Sequence, residues 1–185
     1  KLTAGAGGDN TGSVKVAEGE LCLTSGNVIG TGAVTVDKDA RLSGVTGTTA
    51  LTNSSFTING ELVVGAFANA TSGKINFGGK NVTISSTGKY VVGKGSYSNT
   101  TIENVNTLTI NGTIEVVLAS SYTPKDGDVL TLWTANHFAG TPNYVLPNLP
   151  LGMAWDMSKI SEGKLTIVSD PTAIGVVPFG AKYCH

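Results

Sequence analysis

Apolar and polar residues alternate along the first two thirds of the chain in short bursts that recur. Val14-Lys15-Val16 precedes Gly19-Glu20-Leu21-Cys22-Leu23, and Val34-Thr35-Val36 precedes Ala40-Arg41-Leu42. Phe56-Thr57-Ile58 precedes Gly60-Glu61-Leu62-Val63-Val64, and Val82-Thr83-Ile84 precedes Gly88-Lys89-Tyr90-Val91-Val92. Leu108-Thr109-Ile110 precedes Gly112-Thr113-Ile114-Glu115-Val116. The first apolar positions, 14, 34, 56, 82 and 108, are 20, 22, 26 and 26 residues apart. Alternation of period two sends Val14 and Val16, or Phe56 and Ile58, to one face of a strand and Lys15 or Thr57 to the other. Each unit therefore reads as two short strands joined at a small residue such as Gly60, Gly88 or Gly112, where the chain bends with no side chain in the way. No stretch of residues 1–135 sustains helical spacing beyond a few residues, and β-branched side chains dominate the apolar positions.

Two arrangements fit such units. Asn59-Gly60 and Asn111-Gly112 carry the strongest two-residue hairpin signal, which predicts antiparallel pairs. Recurrence of the whole unit with a drifting step instead predicts stacked coils, because one coil cannot bury its apolar side without neighbours. The recurrence favours the stack: an all-β solenoid of about five to six coils, roughly 25–30 Å long at the usual strand spacing.

After Ser120 the texture changes. A turn-rich connector, Tyr122 to Asp128, leads into Val129-Leu130-Thr131-Leu132-Trp133, then past Pro142, Pro147 and Pro150 to Gly152-Met153-Ala154-Trp155-Asp156 and Lys164-Leu165-Thr166-Ile167-Val168. This block predicts a C-terminal antiparallel β cap that closes an exposed strand edge. The expected division is solenoid over residues 1–120, cap over 121–170, and a linker or the start of a following segment over 171–185.

Composition explains what fills these positions. Of 185 residues, 25 are glycine and 39 are serine or threonine, while only 14% are charged. With 40% hydrophobic residues and a net charge of −1, the chain lacks the signature of disorder. The same near-neutrality removes the basic footprint that nucleic acid or anionic lipid requires. The longest nearly apolar stretch, residues 173–181, is about half a membrane span and contains Gly175, Pro178 and Gly180, so no membrane insertion by this segment is expected. Cys22 and Cys184 lie 162 residues apart and form neither a metal cluster nor a disulfide framework, which predicts two free thiols. Asn-x-Ser/Thr triplets at Asn53, Asn69, Asn81, Asn99 and Asn111 are little more than this composition yields by chance.

Candidate chemistry is sparse. Asp37 and Asp39 would point the same way in an extended segment near Arg41, but a solvated corner explains them as well. Asp126-Gly127-Asp128 reads as a turn, and His137 has no acidic or thiol neighbour in the sequence. Gly7-Gly8-Asp9-Asn10 is a single copy of a pattern that binds calcium only when repeated. No nucleophile elbow, phosphate loop or zinc signature is present. The expectation is a protein that is not an enzyme and needs no cofactor. Aromatics that could stack on sugar rings are Tyr97 in the loop Gly95-Ser-Tyr-Ser-Asn99, Tyr144, and Trp155, with Trp133 and Trp155 also suited to packing the cap.

Residues 12–23, Gly-Ser-Val-Lys-Val-Ala-Glu-Gly-Glu-Leu-Cys-Leu, and residues 30–42, Gly-Thr-Gly-Ala-Val-Thr-Val-Asp-Lys-Asp-Ala-Arg-Leu, resemble the autotransporter-associated β-strand repeat. Ala40 stands where that repeat usually has glycine. The ending is similar too: Gly127-Asp-Val-Leu-Thr-Leu-Trp133, Leu149-Pro-Leu-Gly-Met-Ala-Trp-Asp156 and Gly163-Lys-Leu-Thr-Ile-Val168. The resemblance implies a right-handed parallel β-helix from a larger exported bacterial protein, secreted or displayed at the cell surface. Pro171-Thr-Ala-Ile174 looks like the junction before the sorting tails of exported Bacteroidetes-type proteins. The expected role is a non-catalytic structural or adhesive module, a spacer or presentation stalk whose partner is an extracellular glycan or a host or cell-surface protein. The alternative is a carbohydrate-binding accessory module attached to a polysaccharide-degrading enzyme.

Overall fold

Period-two alternation with branched apolar residues on one side and threonine on the other builds strands, and strands are what the chain contains. The computed structural model describes residues 2–4, 11–24, 29–65, 72–170 and 172. Gly7 to Asn10, Asn69, Cys184 and all of 173–185 lie outside these described residues. The protein is all-β; its one helical element among the described residues is the 3-10 turn Ile160–Glu162.

Three sheets form. The first is parallel and runs in spatial order through β1 (Leu2–Ala4), β3 (Gly19–Thr24), β5 (Ala40–Val45), β7 (Glu61–Val64), β9 (Lys89–Lys94), β11 (Thr113–Leu118) and β14 (Asn143–Val145). The second, also parallel, runs through β2 (Val14–Val16), β4 (Val34–Val36), β6 (Ser55–Ile58), β8 (Gly73–Ile84), β10 (Thr100–Ile110) and β13 (Trp133–Ala139). From β1 to β11, consecutive strands alternate between the two sheets. The third sheet is antiparallel, with β16 (Lys164–Ser169) between β12 (Val129–Thr131) and β15 (Met153–Asp156).

The recurring apolar positions are register positions. Val14, Val34, Phe56, Val82, Leu108 and Phe138 are successive partners across the second sheet. Leu21, Leu42, Leu62, Tyr90, Ile114 and Tyr144 do the same across the first. Both columns belong to or pack against one continuous core, so each row of side chains is covered by the rows before and after it. On the other side of the second sheet, Thr35, Thr57, Thr83 and Thr109 stack in register. Strands β13 and β14 continue the two parallel sheets beyond Ser120, as far as Val145.

Asn59-Gly60 and Asn111-Gly112 do not make hairpins, because the strands they join belong to different sheets. They are stacked corners. A Cβ at Gly60 would lie 2.1 Å from the Ala40 carbonyl oxygen, at Gly88 2.4 Å from that of Ile58, and at Gly112 2.0 Å from that of Gly88. Backbone approaches too close for any side chain select glycine at these corners. Gly19 is glycine for another reason: its φ of +71° lies in the left-handed region.

The longer steps of 26 residues correspond to longer strands. β8 and β10 pair over Gly73 to Asn76 with Thr100 to Glu103, shift register, and pair again at Val82 to Ile84 with Leu108 to Ile110. Asn104, with φ of +53°, sits in that irregular stretch and donates from Nδ2 to the Asn76 Oδ1. The added segments extend the core: Phe77 meets Phe56 edge to face with ring centroids 4.7 Å apart.

Candidate functional site

The loop between β9 and β10 and the connector before β12 form a cleft of about 470 Å³. Ser96 and Tyr97 line it from the loop, and Ser121, Tyr122, Thr123, Lys125 and Asp128 from the connector. Tyr97 projects fully into solvent, with a relative exposure of 101%. Both walls are pinned. Gly95 N–H donates to the Ser98 carbonyl, Gly93 N–H to the Thr100 hydroxyl at 2.8 Å, and Asn99 Nδ2 to the Thr131 carbonyl at 2.7 Å. Opposite, Ala119 N–H donates to the Lys94 carbonyl and Tyr122 N–H to that of Ala119, while Ser96 Oγ donates across to the Ser121 carbonyl at 3.3 Å.

At the back of the cleft the Tyr122 hydroxyl and the Lys125 N–H, the latter at 3.0 Å, both donate to Asp128 Oδ2. Burial and then the neighbouring Asp128 carboxylate push the Tyr122 phenol far above its usual range, so it stays a neutral donor. The ammonium of buried Lys94 sits over the Tyr122 ring, 5.0 Å from its centre, in a cation–π contact.

The other aromatics have different settings. Tyr144 is half-buried on β14 opposite Ile114, at the end of the core column, and burial raises its phenol. Trp155 is half-buried on β15 opposite Ile167, and its indole N–H donates to the Pro147 carbonyl at 2.9 Å. Trp133, 1% exposed, stacks on Phe138 with centroids 4.7 Å apart. None of these three lines the Tyr97 cleft. Sequence reasoning found Tyr97 but missed the polar wall: Asp128 and Lys125 read as turn residues, and nothing local says that their turn lies beside the 95–99 loop.

A second cleft, also about 470 Å³, lies over the first sheet and includes Glu20, Lys38, Asp39, Arg41 and Glu61. Asp37 and Asp39 lie at a corner between β4 and β5 and do not form a carboxylate pair there. Residues 38–39 turn instead of extending, and Asp37 pairs with Lys15 at 3.0 Å. Arg41 is held by Glu61, with Nε 2.8 Å from Oε2. Register places Glu20, Arg41, Glu61 and Lys89 in one outward column of alternating sign. Lys89 also reaches Glu115 at 3.0 Å. Burial raises the Glu61 carboxyl, but hydrogen bonds from Lys89 and Arg41 outweigh it and hold the group below its usual value. Hydrogen bonds that the Lys89 ammonium donates to the Glu61 and Glu115 carboxylates raise its pKa. A depressed carboxylate stabilises above its unfolded pKa and loses that contribution as pH falls through the folded one. A raised lysine stabilises below its unfolded pKa and loses it as pH rises through the folded one. The column is therefore intact at neutral pH and fails at both extremes. Glu61→Gln is expected to cost about 1 kcal/mol in urea unfolding at pH 7 and low salt, less at high salt, with the difference shrinking in acid. An unchanged difference at pH 3 would refute the linkage.

The remaining candidates are dispersed. His137 is exposed on β13 opposite Thr107. Cys22 is a buried free thiol. Asn53 is 0% exposed and donates from Nδ2 to the Gly32 carbonyl, and Asn99 is engaged as described, so neither presents a free amide for glycan attachment. Asn81 and Asn111 are exposed. Asp126 accepts the Ser169 N–H at 2.6 Å and Asp156 that of Ser158 at 2.8 Å. Among the described residues no three His, Cys, Asp or Glu side chains converge as metal ligands. No described helix is long and apolar enough to cross a membrane.

No protein-family model, curated protein or solved structure matches the chain.

Proposed function

We propose that the chain is a non-catalytic β-solenoid module, a right-handed parallel β-helix closed by the antiparallel third sheet. In this reading it is exported and held at a bacterial cell surface as a spacer or adhesive stalk within a longer polypeptide. The observation that carries the reading is the alternation of consecutive strands between two parallel sheets, with one apolar column continued from Val14 to Phe138. Parallel crossovers are right-handed in nearly all proteins, which supplies the hand. Stacked coils with a continuous ladder of backbone hydrogen bonds leave few segments that open locally to proteases, a property a stalk needs. The resemblance of residues 12–42 and 127–168 to autotransporter-associated repeat proteins supplies the exported setting and the surface partner.

The isolated chain, incubated with pectic, cellulosic and hemicellulosic polysaccharides, is expected to release no reducing or unsaturated sugar ends. Its sheets should resist thermolysin under native conditions. Turnover of any of these polymers would overturn the non-catalytic reading.

A carbohydrate-binding accessory role is the second reading. The specific observation in its favour is the fully exposed Tyr97 ring beside a pinned polar cleft.

A further inference from the structure

We infer that the cleft beside Tyr97 binds an uncharged saccharide, with the Tyr97 ring as its stacking platform and the Asp128 carboxylate as the acceptor for its hydroxyls. This rests on the carbohydrate-binding reading and specifies the ligand. A tyrosine ring offers a flat apolar face with a polar tip, the combination a pyranose ring needs for its C–H face and its hydroxyl rim. The cleft's volume of about 470 Å³ falls in the range of small-ligand sites.

Asp128 is placed to read hydroxyls. The Tyr122 hydroxyl and the Lys125 N–H both occupy Oδ2, so the carboxylate is oriented before any ligand arrives. A charged acceptor so fixed makes stronger hydrogen bonds than a neutral one, and the ordering cost has been met in the free protein. Ser121, Thr123 and Lys125 also line the cleft and add hydroxyl and ammonium groups to it, the chemistry a hydroxyl-rich ligand can use.

The charges that line the cleft are one carboxylate, Asp128, and one ammonium, Lys125, so its lining carries no net charge to draw an acidic sugar in preference to a neutral one.

The test is calorimetric titration of the whole chain with neutral cello-, manno- and galacto-oligosaccharides and, separately, with oligogalacturonate. Tyr97→Ala and Asp128→Asn are measured alongside, with far-UV circular dichroism as the check on folding. The expected result is binding of at least one neutral oligosaccharide, weakened about tenfold by each substitution. Tyr97 is wholly exposed, so its variant folds even if Asp128→Asn perturbs the connector. Preferential binding of oligogalacturonate, still lost in Tyr97→Ala, would overturn the assignment to uncharged sugars while leaving the carbohydrate-binding reading in place. Binding unaffected by Tyr97→Ala would overturn the site. No binding of either class would overturn both the inference and the reading on which it rests.

Discussion

Trp133→Ala is expected to destabilise the protein by about 4 kcal/mol, the usual cost of removing a buried large aromatic. Trp133 is almost fully buried at the first position of β13, stacked on Phe138 and opposite Ile102. It joins the parallel sheets to the third sheet. Its carbonyl oxygen and its indole would lie 2.4 and 2.8 Å from a Cβ at Gly163, and the Gly163 carbonyl accepts the N–H of Leu132. Removing the indole would open a cavity where the last row of the stack meets its cover, which neighbouring backbone is too constrained to fill. Equilibrium urea unfolding reads the effect. A loss below about 1 kcal/mol would mean that this end of the parallel sheets relaxes freely and does not depend on the contact.

Gly112→Ala should cost about 3 kcal/mol although it adds one methyl group to a corner with an ordinary φ. The new Cβ would sit 2.0 Å from the Gly88 carbonyl oxygen and 2.4 Å from that of Ser85. These obstacles are backbone, and Gly88 O is the acceptor for the Thr113 N–H at 2.9 Å. Relief therefore requires the paired strands β9 and β11 to move apart at this corner, which weakens a ladder bond and the packing of Ile110 and Ile114 on either side. Gly127→Ala, at an exposed turn where a Cβ meets nothing within 4 Å, serves as the contrast. It carries only the strain of a φ of +83°. Thermal unfolding of both variants separates a stacking clash from a turn preference: if Gly112→Ala costs no more than Gly127→Ala, the corners are not stacked as described.

The columns themselves were legible in the sequence, because a period-two pattern that recurs must put its apolar members on one side of successive strands. The positions 14, 34, 56, 82 and 108, picked from alternation, are the same residues that partner one another across the second sheet. An antiparallel sheet after Ser120 was expected and forms, but not from longer strands: β12, β15 and β16 have three, four and six residues, and Trp133 begins β13 of the parallel second sheet. Less legible was the last row of the parallel sheets. Phe138 and Tyr144 stand in proline- and glycine-broken sequence without the repeated motif, and only pairing with β10 and β11 reveals them as core positions. The halves of β8 and β10 before their register shift were hidden for a similar reason: Asn104 takes a left-handed backbone that residue type alone does not dictate. The site was legible in part. Exposure of Tyr97 follows from its short polar loop, but Asp128 meets that loop only through tertiary structure.

Nuclear Overhauser contacts around Asn59-Gly60 test the stacking of parallel rows most directly. The account predicts side-chain contacts from Phe56 to both Val34 and Val82, amide-to-α-proton contacts between those strands, and no α-proton contacts linking Thr57 or Ile58 with Glu61 or Leu62. Strong α-to-α contacts across the Asn59-Gly60 turn, with none from Phe56 to Val34 and Val82, would mean an antiparallel hairpin and would contradict it.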